Sequence, residues 1–232
     1  MKKYFVLLMV LFSSTASLAM ENDDPLLTKL MIEQFEVRNA KGDNPTVFEG
    51  EFWIGKDLNK LWFKVDAESV GGKTEEAEYQ ALYSRAIAPY WDVQVGLRHD
   101  QRPTPTRNWG VIGLKGVAPY LFEVDTALFI GDNNRTGFRL QAEYEFMITQ
   151  KWILSPEVET NFYGKTDSET KVGSGLSDLS FGLRLRYEIK RHVAPYVGVY
   201  WFKKFGDTAN FARADGEEIS DTQFVVGIRA WF

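Results

Sequence analysis

Six acidic residues fall in three pairs of one spacing: Glu123 and Asp125, Glu143 and Glu145, Glu157 and Glu159. Five arginines, Arg98, Arg139, Arg184, Arg186 and Arg229, lie in stretches of the same kind. Residues two apart share one face of an extended strand. A wall of carboxylates concentrates cations and guides them along a path. The same carboxylates, met by guanidiniums, would instead pair and fill the space between strands, because buried charges persist only when paired and hydrogen-bonded. Both readings stay open on the residue types alone.

Acid–base chemistry has less material. A hydrolase needs a histidine held by a carboxylate or amide within reach of a serine or an activated water. The only two histidines are His99 and His192. The predicted strands place them at opposite ends, and His99 and Asp100, as strand neighbours, point to opposite faces. Gly173, Gly175 and Gly182 precede no helix that could bind phosphate at its N-terminus. No enzyme is expected.

What must position these charges is a set of strands. FRLQAEYEF sets Phe138, Leu140, Ala142, Tyr144 and Phe146 against Arg139, Gln141, Glu143 and Glu145. LSFGLRLRYEI sets Leu179, Phe181, Leu183, Leu185, Tyr187 and Ile189 against Ser180, Gly182, Arg184, Arg186 and Glu188. This alternation, with period two, recurs along the chain and no helical stripe interrupts it. It predicts about twelve strands, at 28–38, 46–56, 59–70, 75–88, 91–100, 107–118, 119–131, 135–148, 151–164, 176–190, 193–205 and 219–232. Most reach the 9–11 residues, approximately, that a tilted strand needs to cross a bilayer. Short connections near 57–58, 89–90, 118–119, 149–150 and 191–192 alternate with longer ones at 39–45, 71–74, 101–106, 132–134, 165–175 and 206–218. The expected fold is therefore all-β, a closed antiparallel transmembrane β-barrel with its charged face inward and both termini in the periplasm.

The beginning of the chain sets the compartment. Lys2 and Lys3 precede the apolar run 4–12, and Ser17 and Ala19 precede Met20, the layout of a secretory signal peptide. The organisation expected is a signal peptide over 1–19, a short periplasmic segment over 20–27 and an outer-membrane barrel over 28–232. The formal charge of −5 becomes −7 once Lys2 and Lys3 leave, which argues against nucleic acid as a partner. Cysteine is absent, so disulfides and thiolate metal sites are excluded. The last strand alternates from Thr222 to a terminal Phe232, as outer-membrane barrels do where their assembly machinery recognises them. Ala-Pro-Tyr occurs three times, ending at Tyr90, Tyr120 and Tyr196, and reads as hairpin punctuation at the short turns, each tyrosine at headgroup level.

Several stretches together resemble the copper resistance protein B family of outer-membrane proteins. They include NKLWFKVDAE (59–68), EYQALYSRAIAPYWDVQVGLRHD (78–100), APYLFEVDTALFIGD (118–132), RLQAEYEFMITQKWILSPEVETNFYGK (139–165), GSGLSDLSFGLRLRYEI (173–189) and RHVAPYVGVYWFKKFGDTA (191–209). The resemblance covers about residues 46–232. It implies an outer-membrane barrel contributing to copper tolerance, in contact with copper ions and outer-membrane lipid, usually beside a periplasmic multicopper oxidase. Family members commonly carry a Met- and His-rich arm before the barrel; here that region offers Met20 and Met31 and no histidine. Met147 and His192 fall near the same end and complete the candidate copper ligands.

Overall fold

The computed structural model describes residues 24–190 and 192–232, so the leader expected at 1–19, Met20 and Arg191 lie outside the described residues. The alternation folds as β1 (Leu27–Asn39), β2 (Thr46–Gly55), β3 (Asn59–Val70), β4 (Lys73–Ala88), β5 (Trp91–Arg102), β6 (Arg107–Ala118) and β7 (Phe122–Gly131). The chain continues through β8 (Thr136–Glu143), β9 (Phe146–Met147), β10 (Trp152–Tyr163), β11 (Gly175–Tyr187), β12 (Val193–Lys204), the α-helix α1 (Gly206–Asp215) and β13 (Ser220–Trp231). Every strand pairs antiparallel with its neighbours, and β13 returns to β1. Since β8 and β9 both pair with β10 and share one position, the ring has twelve staves. At the seam Leu30 and Phe232 exchange both backbone hydrogen bonds, at 2.9 and 2.8 Å. Closure joins the first and last staves so that the sheet has no free end, which is what a sheet in lipid requires.

The two faces are inverted relative to a water-soluble protein. Phe35, Val37, Leu61, Phe63, Leu97, Ile112, Leu128, Phe224 and Val226 point outward and are exposed. Gln34, Glu36, Lys64, Gln80, Arg98 and Arg184 point inward and are buried. A barrel with an apolar outside and a charged inside is built for a bilayer. No helix among the described residues is long and apolar enough to cross a membrane, and the strands are what cross here.

The interior has one apolar sector. Leu82, Trp109, Val111 and Phe129, all inward on β4, β6 and β7, form a buried cluster. It fills one side of the bore and leaves the polar residues of the other staves around the remaining space.

Three local departures from the alternation have physical causes. The strand expected over 135–148 breaks after Glu143. Tyr144 donates its N–H to the Pro156 carbonyl at 3.0 Å, but Pro156 has no N–H to return the bond, so the ladder lapses until Phe146. The longer connection expected over 71–74 is a two-residue turn, because Gly71 and Gly72 take φ values of 58° and 78°, the left-handed conformation that tight hairpins need. The loop expected over 206–218 holds α1, whose buried residues are only Thr208, Ala209 and Ala212. So narrow a face gives no stripe to read, and the helix stops where Gly216 turns left-handed at φ 77°.

The Ala-Pro-Tyr reading also needs correction at its third copy. Tyr90 and Tyr120 do sit in short turns, with φ of 68° and 66°, and both are exposed. Tyr196 instead lies within β12, opposite Gly227, with its ring inside the barrel and 4% exposed.

Candidate ion path in the barrel interior

Alternation delivers the inward charges, and the small circumference lets them meet across the bore. Lys64 on β3 contacts Asp125 on β7 at 2.5 Å, while Lys115 on β6 contacts Glu51 on β2 at 2.8 Å. Lys64 also lies 3.7 Å from Glu51, and Lys115 lies 3.7 Å from Asp125. The four side chains thus form an alternating quartet spanning four staves. Arg139 on β8 reaches Glu78 on β4 at 2.9 Å, and Arg98 binds Glu78 at 2.8 Å and Asp100 at 2.7 Å.

A third group surrounds Glu36, whose side chain has no exposure. It accepts hydrogen bonds from Arg38 at 2.7 Å, from Arg184 at 2.9 and 3.1 Å, and from the Tyr196 hydroxyl at 2.9 Å. Arg184 also donates to Glu157 at 2.6 Å and to Gln34 at 2.7 Å. Near the short-turn end Arg229 meets Glu33 at 2.6 Å, Glu143 at 3.0 Å and Glu145 at 3.4 Å, and Arg186 holds Glu145 at 2.5 Å. Glu33 and Gln34 both reach the cavity because β1 carries a bulge between Ile32 and Gln34.

Other acids are not braced. Among the described residues Glu49, Asp66, Glu76, Glu123 and Asp178 have no basic nitrogen within 4.0 Å. Glu49 stands directly opposite Asp66, Asp66 opposite Glu78, and Glu68 opposite Glu76. Like charges directly opposite on one face repel. Glu76, Asp66 and Glu49 therefore step from the loop end of β4 down through β3 to β2, ending above the lysine quartet.

This staircase enters a cavity of about 280 Å³ lined by Glu49, Asp66, Glu123, Gln141, Glu157 and Arg229, with Leu82, Val111 and Phe129 as its apolar wall. Gln94, 1% exposed, also lines it, and its amide nitrogen has no hydrogen-bond partner.

Over the loop end, the segment 164–174 reaches back to β6. Arg107 and Arg135 each lie 3.0 Å from Asp167, and Arg107 also meets Glu169 at 2.6 Å. Partial burial pushes the Asp167 carboxyl up. The hydrogen bonds from Arg107 and from the Glu169 N–H, with the charges of Arg107 and Arg135, outweigh it and hold the group below the ordinary aspartate range.

With this geometry in view, comparison with known proteins becomes decisive. The family model described as copper resistance protein B precursor (CopB) matches residues 26–232. The chain belongs to this family. Its relatives include a copper resistance protein B homolog of Pseudomonas syringae pv. tomato, 41% identical over 91% of this chain and 72% of the relative. Copper resistance protein B of Escherichia coli is 37% identical over 91% of this chain and 71% of its own. Among solved structures the NanC porin superposes with a TM-score of 0.58 at 10% identity, covering 88% of this chain and 99% of that one. Outer membrane phospholipase A from Escherichia coli gives 0.50 at 15% identity, covering 88% and 92%. At such identities the likeness shows the barrel fold alone.

For a copper resistance protein B, the positions of the soft ligands matter. Met20 lies outside the described residues. Met31 stands opposite Glu51 and Trp231 near the short-turn end. Met147 is 74% exposed on β9, at a stave well around the ring from β1. The His192 ring stacks on Phe232 with centroids 6.3 Å apart. Met31 and His192 flank Trp231 on its two neighbouring staves, while Met147 stands apart from them around the ring. Among the described residues no three His, Cys, Asp or Glu side chains are disposed to hold a metal ion. His99 points outward and bonds Asn108 at 2.7 Å, while Asp100 points inward to Arg98 and to the Trp109 indole at 2.8 Å.

The predicted charges fare differently. Asp125, Glu143, Glu145 and Glu157 enter braces, Glu159 lies 3.4 Å from Arg139, and Glu123 lines the cavity without a cation partner. Sequence reasoning did not single out Glu36, Glu49, Asp66, Lys64 or Lys115 as site residues, and it gave Tyr196 to a turn. The i, i+2 spacing of Glu49 with Glu51 and of Lys64 with Asp66 was the available signal.

Proposed function

We propose that this copper resistance family member is an outer-membrane barrel that moves or holds copper ions along the Glu76–Asp66–Glu49 staircase. In this reading the short turns, both termini and Phe232 face the periplasm, where the assembly machinery and a multicopper oxidase would be met, and residues 1–19 are the leader that directs export. The observation that carries it is the opposed Glu49–Asp66 pair. In a bore where most acids are braced by arginine or lysine, two carboxylates face each other with no cation of the described residues within 4.0 Å. Such a pair repels itself and is relieved when a metal cation sits near it. The reading is non-enzymatic.

The test is copper movement into liposomes containing the purified barrel, wild type against a Glu49→Gln, Asp66→Asn double variant. The proposal expects copper entry above that of empty liposomes and its loss in the variant. Entry no greater than in empty liposomes, with copper tolerance unaffected by deletion, would sink it.

A second reading has its own observation. The Lys64–Asp125 and Lys115–Glu51 braces cross the bore, so the barrel would be sealed and its function carried by the loops. That reading expects no entry in either protein and a change only in stability.

A further inference from the structure

The donor set of the interior bears on which copper ion is handled. Thioether sulfur and imidazole suit Cu(I), whereas carboxylate, carbonyl and water oxygen suit harder divalent ions. No cysteine is present. Neither histidine and no methionine of the described residues lines the cavity. His99 points to the outside, His192 sits on the rim against Phe232, and Met147 is exposed. Within the cavity the oxygen donors are carboxylates, amides and the Ser155 and Tyr196 hydroxyls, and the Lys64 and Lys115 amines are engaged by Asp125 and Glu51.

Two further observations concern hydration. Among the described residues no three acidic or imidazole side chains converge as they would to hold a bare ion. Gln94, 1% exposed on the cavity wall, has an amide nitrogen with no protein partner. A buried polar group of that kind calls for water. An ion that keeps its water shell supplies such water and needs no converging ligands.

We infer that the copper species admitted to the interior is hydrated Cu(II), held through its water shell by Glu49, Asp66 and Gln94, and that Cu(I) is excluded. This rests on the proposed copper path and adds to it the oxidation state and the mode of contact. The charge argument agrees, since a divalent ion gains twice what a monovalent ion gains beside the same carboxylates.

The test uses the full mature protein reconstituted in liposomes and compares Cu(II) with Cu(I) kept reduced without oxygen. Electron paramagnetic resonance of the loaded protein reports the first coordination shell. The expected result is retention of Cu(II) with an all-oxygen spectrum lacking nitrogen couplings, loss of that retention in E49Q with D66N, and little retention of Cu(I). The H99A variant, whose ring points outward, should behave as the wild type. Retention of Cu(I) equal to or above that of Cu(II), or nitrogen couplings in the Cu(II) spectrum, would overturn the inference while leaving the copper path standing. Retention of neither ion would overturn the inference, while copper entry into the same liposomes reads the path separately. The wild-type spectrum decides the coordination even if the double variant fails to fold.

Discussion

Tyr196 lies across Gly227 and donates its hydroxyl hydrogen to Glu36. A Cβ added at Gly227 would come within 2.6 Å of the Tyr196 ring and 2.7 Å of the Glu36 Cβ. The absence of a side chain at residue 227 is thus what admits the ring, and the ring supplies one of the hydrogen bonds to a fully buried carboxylate.

Two substitutions follow from that contact. Tyr196→Phe removes a hydrogen bond to a charged group and should lower stability by about 1.5–3 kcal/mol. Gly227→Ala should do at least as much harm by displacing the ring. Urea unfolding in lipid vesicles, followed by tryptophan fluorescence, checks both; an unchanged midpoint for G227A would mean that the ring moves aside without consequence.

The lysine quartet should act as a brace. Lys64→Met leaves Asp125 with only the 3.7 Å contact to Lys115, and removing one partner of a buried pair costs about 3–5 kcal/mol. The same change removes positive charge from the cavity wall. Cation conductance in planar bilayers should therefore rise as unfolding resistance falls. A rise in stability would contradict the bracing role.

The clasp on Asp167 gives a pH dependence. Its carboxyl is held below the ordinary range in the folded protein. Its contribution is therefore present above the unfolded-state value and is lost as pH falls through the lower, folded-state value. Protection of segment 164–174 from hydrogen exchange, taken relative to the free-peptide rate at the same pH, should fall on acidification. Asp167→Asn should show that loss of protection already at neutral pH, and full protection in that variant would show that the clasp does not hold the segment.

Pro156→Ala restores an N–H opposite the Tyr144 carbonyl. With the Tyr144 N–H already bonded to residue 156, the return bond should form and contribute about 1 kcal/mol. The new amide should exchange slowly. Rapid exchange would show that the break between β8 and β9 has another cause.

The barrel was legible in the chain because period-two alternation survives in nearly every stave, and strands of that length, apolar on one face, match the thickness of a bilayer. Arg139 could be assigned inward from its neighbours alone. Its partner Glu78 could not be identified, since β4 and β8 are brought together only by ring closure. Glu36 was obscured for a local reason. The bulge near Glu33 shifts the face of β1, so a strict period fails halfway along the strand. Tyr196 was misread because two copies of its tripeptide do sit in turns. The third is drawn into the bore by a glycine on the next strand, a relation the tripeptide itself does not contain. The soft-ligand candidates shared one end of the predicted strands, but only the ring order shows that Met31 and His192 lie either side of β13 while Met147 sits on β9, several staves away.

The reciprocal bonds between Leu30 and Phe232 have a consequence for assembly. They join positions at nearly opposite extremes of the sequence, so they carry the longest loop-closure cost in the molecule. Until that contact forms there is no inside: the staircase is one face of a curling ribbon, and the pairs across four staves are too far apart to attract. The proposed ion path is thus a property of the closed ring, absent from every earlier stage of assembly.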